Sequence, residues 1–303
     1  MILVILAVIH IIFVRRRSPK LFITEADLYK MIQKNSTNST YQRRIPRIIH
    51  QTWKDASIPP RWNLSVRSVR KLNADHFEYR LWTDNDMHEF VREKEPDVYA
   101  NTFLTYSHNI QRVDAFRYIL LYHLGGVYID MDAGCSKSLD ILLDALEALD
   151  PQAKHLAALP ETKPNGLSND FMISTKGHPL FAELVSHLSI FNHNYIVYYL
   201  TIMLSAGPLF LTINEQFFRR SSGIISVRTI EGKAYSPLLL WFAGGNSWHG
   251  RDAQIIKYIY EVPRTLQLAS IITAFLLIFL IYFLYCCYRR RSVSKTKDLK
   301  IPD

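Results

Sequence analysis

Cysteine is scarce in this chain: three residues in 303, two of which, Cys286 and Cys287, are adjacent near the C-terminus. Only Cys135 is left for the body of the sequence. That excludes an internal disulfide framework and a cysteine-built zinc site there, and Cys135 reads as a small packed residue. Internal repeats and low-complexity tracts are lacking too. A basic surplus is missing where nucleic-acid binding would need it. The formal charge is +9, yet residues 45 to 263 carry 21 Lys+Arg against 23 Asp+Glu, so the central region is slightly acidic and the excess lies in the flanks. A nucleic-acid binder needs a basic stripe on the fold itself. The clustered His and Asp residues of a metal-dependent phosphohydrolase are also not found.

The composition that is present, 49% hydrophobic and 21% charged, is that of a globular protein with room for one core of about 200 residues and terminal anchors. Leu266 to Tyr285 is uncharged and almost wholly apolar. As a helix it reaches about 30 Å, the thickness of a bilayer core. Arg289, Arg290, Arg291, Lys295, Lys297 and Lys300 follow it, and the positive-inside rule makes that tail cytosolic and the preceding domain lumenal. The location expected is therefore a secretory-pathway membrane. Cys286 and Cys287 are candidate palmitoylation sites, although unmodified interfacial cysteines are commoner.

Met1 to Val14 is apolar but short for a span and is closed by Arg15, Arg16 and Arg17. It reads as a short signal anchor, with a signal-like segment or an interfacial helix as the other readings. Sequons occur at Asn35-Ser36-Thr37, Asn38-Ser39-Thr40 and Asn63-Leu64-Ser65. The expected division is 1–17 anchor or interfacial segment, 18–44 stem, 45–263 lumenal domain, 264–288 transmembrane helix and 289–303 basic tail.

Within the domain, strand and helix signals alternate. Strands are expected at Arg47 to Gln51, Tyr79 to Trp82, Val127 to Asp130 and His155 to Leu159. Helices are expected at Pro60 to Leu72, Asp84 to Glu93, Asn109 to Leu124 and Leu139 to Leu149. The third helix has Ile110, Val113, Phe116, Leu120, Leu121 and Leu124 at helical spacing and a Gly125-Gly126 stop. Alternation of this kind predicts an α/β sheet with ligands at strand C-terminal ends.

One such end carries the most informative residues. Gly126-Val127-Tyr128-Ile129-Asp130-Met131-Asp132 runs an apolar strand into two carboxylates one residue apart. Adjacent buried acids are costly unless a cation joins them, and a hard divalent ion takes oxygen ligands while leaving part of its shell for phosphates. Alone, an Asp-x-Asp triplet is weak, since most copies are solvated loop acids. On the preceding helix Asp114 and Arg117 share a face. They are either a surface ion pair of a few tenths of a kcal/mol, or an acid for sugar hydroxyls beside a cation for phosphate.

Ile45-Pro46-Arg47-Ile48-Ile49-His50-Gln51-Thr52-Trp53, then Tyr79-Arg80-Leu81-Trp82-Thr83-Asp84, Arg112-Val113-Asp114-Ala115-Phe116-Arg117-Tyr118 and the Asp130/Asp132 strand together resemble the family-32 glycosyltransferases. Ser168-Asn169-Asp170-Phe171-Met172, Gly177-His178-Pro179, Ser205-Ala206-Gly207-Pro208 and Ser247-Trp248-His249-Gly250 extend the likeness over about two thirds of the chain. Within that family it resembles the fungal mannosyltransferases of inositol phosphorylceramide. The resemblance implies a glycosyltransferase-A domain, Mn²⁺ or Mg²⁺, GDP-mannose as donor and inositol phosphorylceramide as acceptor, with the α configuration retained. It implies metal coordination by Asp132, a metal or donor contact from Asp130, and a third ligand near the end of the core, where His249 stands, against an ordinary loop histidine.

His50, Gln51 and Trp53 are expected at the nucleotide, Trp53 either stacked on the base or packed in the core. Tyr128 and Asn169 are assigned to the donor and Asp170 to the reacting face, against an Asx turn or helix cap for the last two. Uncharged, aromatic Tyr195 to Ile213 either dips into the lumenal leaflet or is a buried helix pair. A membrane-bound regulatory subunit is a further expectation of the resemblance. The other functions open are transfer to protein-linked glycans or another glycolipid, and an inactive membrane-bound partner.

Overall fold

The computed structural model describes residues 22–33, 43–162, 166–195, 197–222 and 226–244. The expected anchors at both ends, the sequons at Asn35 and Asn38, and His249 lie outside them. Among the described residues no helix is long and apolar enough to cross a membrane.

Apart from short helical turns at Pro96–Val98, Tyr99–Phe103 and Ala234–Leu239, the elements in chain order are β1 (Phe22–Ile23), α1 (Glu25–Gln33), β2 (Ile48–Thr52), a 3-10 turn (Pro60–Trp62), α2 (Asn63–Asn73), β3 (Glu78–Trp82), α3 (Asp84–Lys94), α4 (Asn109–Leu124), β4 (Gly126–Ile129) and β5 (Ala133–Cys135). Then follow α5 (Asp140–Leu149), β6 (Leu156–Pro160), β7 (Phe171–Ser174), α6 (Pro179–Phe191), α7 (Tyr198–Ser205), α8 (Pro208–Ser222), β8 (Ser226–Ile230) and β9 (Leu240–Phe242). The expected strands and helices appear within one or two residues. Two differences matter. The first turn of the Pro60 helix is 3-10, and β4 stops at Ile129, which leaves both acids of the Asp-x-Asp in a turn.

Seven of the nine described strands form one sheet in the order β1-β8-β6-β7-β4-β2-β3, and β5 and β9 pair antiparallel in a second. In the larger sheet the pairs are parallel except those of β7, which runs antiparallel to both β4 and β6. Successive side chains of a strand point to opposite faces, so each strand feeds two cores. Tyr128 and Met172 join the core with Phe116, Phe181 and Phe210 from α4, α6 and α8. Val127, Ile129, Phe171 and Ile173 join the core with Leu142 and Leu146 of α5 and Leu28 of α1.

Helix α4 is buried on nearly all sides, Ala115, Tyr118 and Ile119 included, because the sheet covers one flank and α6 the other. Within Tyr195 to Ile213 the outcome favours packing. Leu200, Ile202, Leu204, Phe210 and Leu211 are buried, and α7 lies on α6 and α8.

Candidate active site

The site is assembled at the C-terminal end of β4. Helix α4 closes at Gly125 and Gly126, whose φ angles of 67° and 95° are left-handed. A Cβ at either would lie 2.5 Å from a backbone atom, Lys176 N or Ile48 O, so only glycine lets the chain reverse this tightly against the sheet. The reversal runs the first half of α4 beside the last residues of β4.

Strand pairing supplies the other wall. In the β4–β7 register Gly126 faces Ser174 and Ile129 faces Phe171, and the next step sets Asp130 against Asp170, whose carbonyl accepts the Asp130 N–H at 2.8 Å. Residues 130–133 form a turn closed by Ala133 N–H to Asp130 O at 3.0 Å. Met131, between the two acids, is buried against Trp62 and Val66, and its carbonyl accepts from Ser65 Oγ at 2.6 Å. The middle residue of the Asp-x-Asp thus anchors the turn while the carboxylates point away from that anchor.

Arg117 is the centre of the charge arrangement. Its Nη1 lies 2.8 Å from Asp114 Oδ1 and donates to Asn169 O at 3.1 Å; its Nη2 lies 2.8 Å from Asp130 Oδ1. The guanidinium also stands 4.8 Å from the Tyr128 ring centroid. Arg117 and Asp114 side chains are only 6% and 4% exposed, so this is a buried bridge and not a surface pair. Breaking such a bridge from one side costs about 3–5 kcal/mol, against a few tenths for an exposed pair. The expected phosphate contact of Arg117 has a competitor here, since both terminal nitrogens are engaged by the protein. Asp114 likewise meets Arg117 and Asn169 Nδ2, the latter at 3.1 Å.

Carboxylates outnumber cations. Burial, together with the facing charges of Asp130 and Asp170, pushes the Asp132 carboxyl up to about 6. Burial and Asp130 push Asp170 up to about 6 as well. Asp130 is raised by burial, with Arg117 and the Tyr128 hydroxyl working the other way. Asp114 is pushed up to about 7 by burial, which outweighs Arg117. Such values mark carboxylates withdrawn from water, with facing carboxylates adding to the rise at Asp132 and Asp170. Among the described residues Asp132 has no cationic partner.

The residues expected at the nucleotide divide. His50 is fully buried; Nδ1 accepts from Trp82 Nε1 at 3.2 Å, so Nε2 carries the proton and donates to Gly125 O at 3.0 Å. Burial holds its pKa down at about 4, a neutral ring with no free nitrogen, and its place is in the scaffold. Gln51 accepts from Tyr79 OH at 2.8 Å and donates to Asp130 O at 3.3 Å, which supports the acidic turn from behind. Trp53 lies edge-on to Trp62, ring centroids 4.6 Å apart, and its indole N–H has no partner among the described residues. Tyr128 donates to Asp130 Oδ1 at 2.8 Å and meets Thr52 Oγ1 at 2.9 Å.

Asn169 is buried, tied to Asp114 and, at 3.4 Å, to Tyr118 OH. Asp170 accepts from Tyr235 OH at 2.8 Å. Tyr235 was not legible in the sequence, being 65 positions away and without a motif of its own. Thr52 and Tyr79 were in quoted motifs, and strand register alone gives them their contacts. Cys135, its thiol raised to about 12 by burial, packs beside the turn without reactive character. No three His, Cys, Asp or Glu side chains converge as a metal cage among the described residues.

A mixed sheet with an interior strand that ends in an acidic pair backed by a buried arginine suits a glycosyltransferase, and the comparisons with known proteins show that class. Residues 59–150 match the family described as "Glycosyltransferase sugar-binding region containing DXD motif". Inositol phosphoceramide mannosyltransferase 1 of Schizosaccharomyces pombe is 38% identical over 78% of this chain and 72% of its own length. Inositol phosphoceramide mannosyltransferase 3 of the same yeast is 34% identical over 90% and 75%. The glycosyltransferase domain of the YGT toxin, bound to UDP, overlays 65% of this chain and 83% of its own with a TM-score of 0.45 and 9% identity. The chain belongs to the DXD glycosyltransferase family that includes these inositol phosphoceramide mannosyltransferases.

Proposed function

We propose that this protein transfers mannose from GDP-mannose to the inositol of inositol phosphorylceramide, with retention of configuration, on a glycosyltransferase-A domain facing the lumen of a Golgi or other secretory membrane. The observation that carries the reading is the turn at Asp130 and Asp132, in carboxylate excess and held by Arg117, in a chain whose relatives are named for this acceptor. The donor is the nucleotide sugar that a diphosphate-binding acidic turn suits, and the acceptor is the one named for the relatives.

Two carboxylates one residue apart in a partly buried turn fit a hard divalent ion such as Mn²⁺ or Mg²⁺. Asp132 and Asp130 would hold it, with His249 as the expected third protein ligand. When bound, the ion supplies charge stabilisation to the departing diphosphate. Arg117 keeps the Asp130 carboxylate in one orientation and, through Nη1, keeps Asp114 ionisable beside it. Tyr128 and Gln51 fix the same acid from the sheet side. Tyr235 holds Asp170, the group assigned to the reacting face.

Full-length protein in detergent, given Mn²⁺, inositol phosphorylceramide and labelled GDP-mannose, is expected to form mannosylated lipid that is lost in Asp132→Ala. Turnover only with a glycan acceptor or another donor would keep the enzyme class and remove this substrate assignment.

A further inference from the structure

A second feature lies on a helix that packs against the Asp-x-Asp turn. Helix α2 and the loop before it shape a cleft of about 480 Å³ lined by Ile58, Asn63, Val66, Arg67, Arg70 and Lys71. Half of its lining side chains are cationic, and residues 56–74 contain no acid at all, while Arg61 adds a fourth positive charge. Among the described residues none of Arg61, Arg67, Arg70 and Lys71 has an ion-pair partner, although other surface cations such as Lys94 and Arg80 do. The Arg61 and Arg70 guanidinium groups lie over the rings of Trp62 and Tyr79, each 4.1 Å from the centroid, so aromatic faces and not carboxylates hold them. Leu64 and Leu72 are exposed on the same helix, at 68% and 39%.

A cleft with unpaired guanidinium and ammonium groups on one wall and apolar side chains beside it matches an amphiphile with a phosphate ester at its head. The cleft is coupled to the chemistry at two points. Ser65 of α2 donates to Met131 O inside the acidic turn, and Tyr79, under Arg70, donates to Gln51, which donates to Asp130 O.

We propose that the α2 cleft binds the phosphodiester headgroup of a lipid, with Arg67, Arg70 and Lys71 on the phosphate and Leu64 and Leu72 against the lipid surface. On the reading above that lipid is the inositol phosphorylceramide acceptor. The inference rests on that reading for the identity of the lipid and not for the phosphodiester chemistry.

The binding test uses full-length protein in detergent without donor or metal, so that headgroup binding is measured whether or not sugar transfer occurs; GDP-mannose binding and acceptor KM are measured separately with donor and Mn²⁺ present. Binding of soluble glycerophosphoinositol is compared with that of inorganic phosphate for wild type, the triple variant Arg67→Gln/Arg70→Gln/Lys71→Gln, and the charge control Arg92→Gln/Lys94→Gln on α3. The expected result is saturable glycerophosphoinositol binding, weakened at least tenfold in the triple variant alone, with GDP-mannose binding unchanged and the KM for lipid acceptor raised by a similar factor. Equal loss in both variants would reduce the effect to net charge and overturn the site. Loss of GDP-mannose binding in the triple variant would move these cations to the donor, and inorganic phosphate binding as tightly as the diester would remove the lipid. Headgroup binding that survives where no mannose is transferred would overturn the acceptor reading and leave the cleft standing.

Discussion

Charged clusters stand at both ends of strand β2, and they differ in balance. Just before its first residue Arg47 meets Asp140 at 3.0 Å, Asp144 at 2.9 Å and Glu147 at 3.2 Å, while His76 lies 3.3 Å from Asp140 and Arg44 donates to Glu147 O at 2.8 Å. Burial opposes the Arg47 charge, and Glu147 and Asp140 overcome it and raise its pKa. Every carboxylate there touches a cation. At the other end one guanidinium serves Asp114 and Asp130, and Asp132 and Asp170 are left without one. A cluster saturated in contacts, with each acid on Arg47, joins β2 to α5, although burial and its neighbouring acids raise Asp144 there as well. An unsaturated one is held in readiness for positive charge from outside, which is how perturbed groups mark function.

The largest expected effect separates the two ends by activity. Asp132→Ala should lower mannose transfer about 1000-fold or more while the melting temperature does not fall; retention of a tenth of the wild-type kcat would mean that the excess charge is incidental. Arg47→Met should do the reverse, costing about 3–5 kcal/mol, or roughly 10 °C in Tm, as it strands three carboxylates. A shift below about 2 °C would show that the saturated end is not a clamp.

Arg117→Lys keeps the charge but cannot span two acids with a planar fork, so kcat/KM is expected to drop about 10- to 100-fold. An unchanged value would assign Arg117 a purely Coulombic role.

A pH measurement sharpens the contrast further. In the metal-free protein Asp132 has a folded pKa of about 6 against an unfolded 3.8, so the folded state holds more protons between those values. Its contribution to stability is therefore full below about pH 4 and is lost as pH rises through about 6. After discounting for the part of Asp132 open to solvent, Asp132→Asn should raise Tm at pH 7 by about 3–6 °C, and not at all near pH 4. Mn²⁺ should abolish the difference by stabilising the wild type alone. A pH-independent difference would locate the effect in packing. The smallest effect is that of Tyr235→Phe, which removes one hydrogen bond to Asp170, worth about 1 kcal/mol, and should lower kcat several-fold without changing the KM for GDP-mannose.

Much of this was legible in the sequence because it is local. The 109–124 helix, its glycine stop and the acidic turn follow from spacing within one segment. The role of His50 was not, because its position in a strand says nothing of Trp82 Nε1, which comes from the neighbouring strand, or of the Gly125 carbonyl. Asp114 and Arg117 were legible as neighbours on a helix, but burial turned a pair of a few tenths of a kcal/mol into a fixed bridge, and burial is a property of α6 and the sheet. Tyr235 reaches Asp170 only through tertiary folding, and the cations of α2 read as an ordinary solvated face until the cleft beside them is seen.

The reversal at Gly125 and Gly126 works as two rulers joined at a common zero. Counted from that point, Arg117 lies eight residues back along a helix, about 12 Å at 1.5 Å each, and Asp130 lies four to five residues forward along a strand, about 15 Å at 3.3 Å each. The graduations differ, and they coincide where the guanidinium meets the carboxylate. One residue removed from the helix would turn Arg117 by about 100° about its axis, and one removed from the strand would swing Asp130 to the opposite face of the sheet. The interval between the two residues is thus as much a part of the site as the side chains themselves, and a chain that preserved both residue types at a different separation would have the letters of the motif without its chemistry.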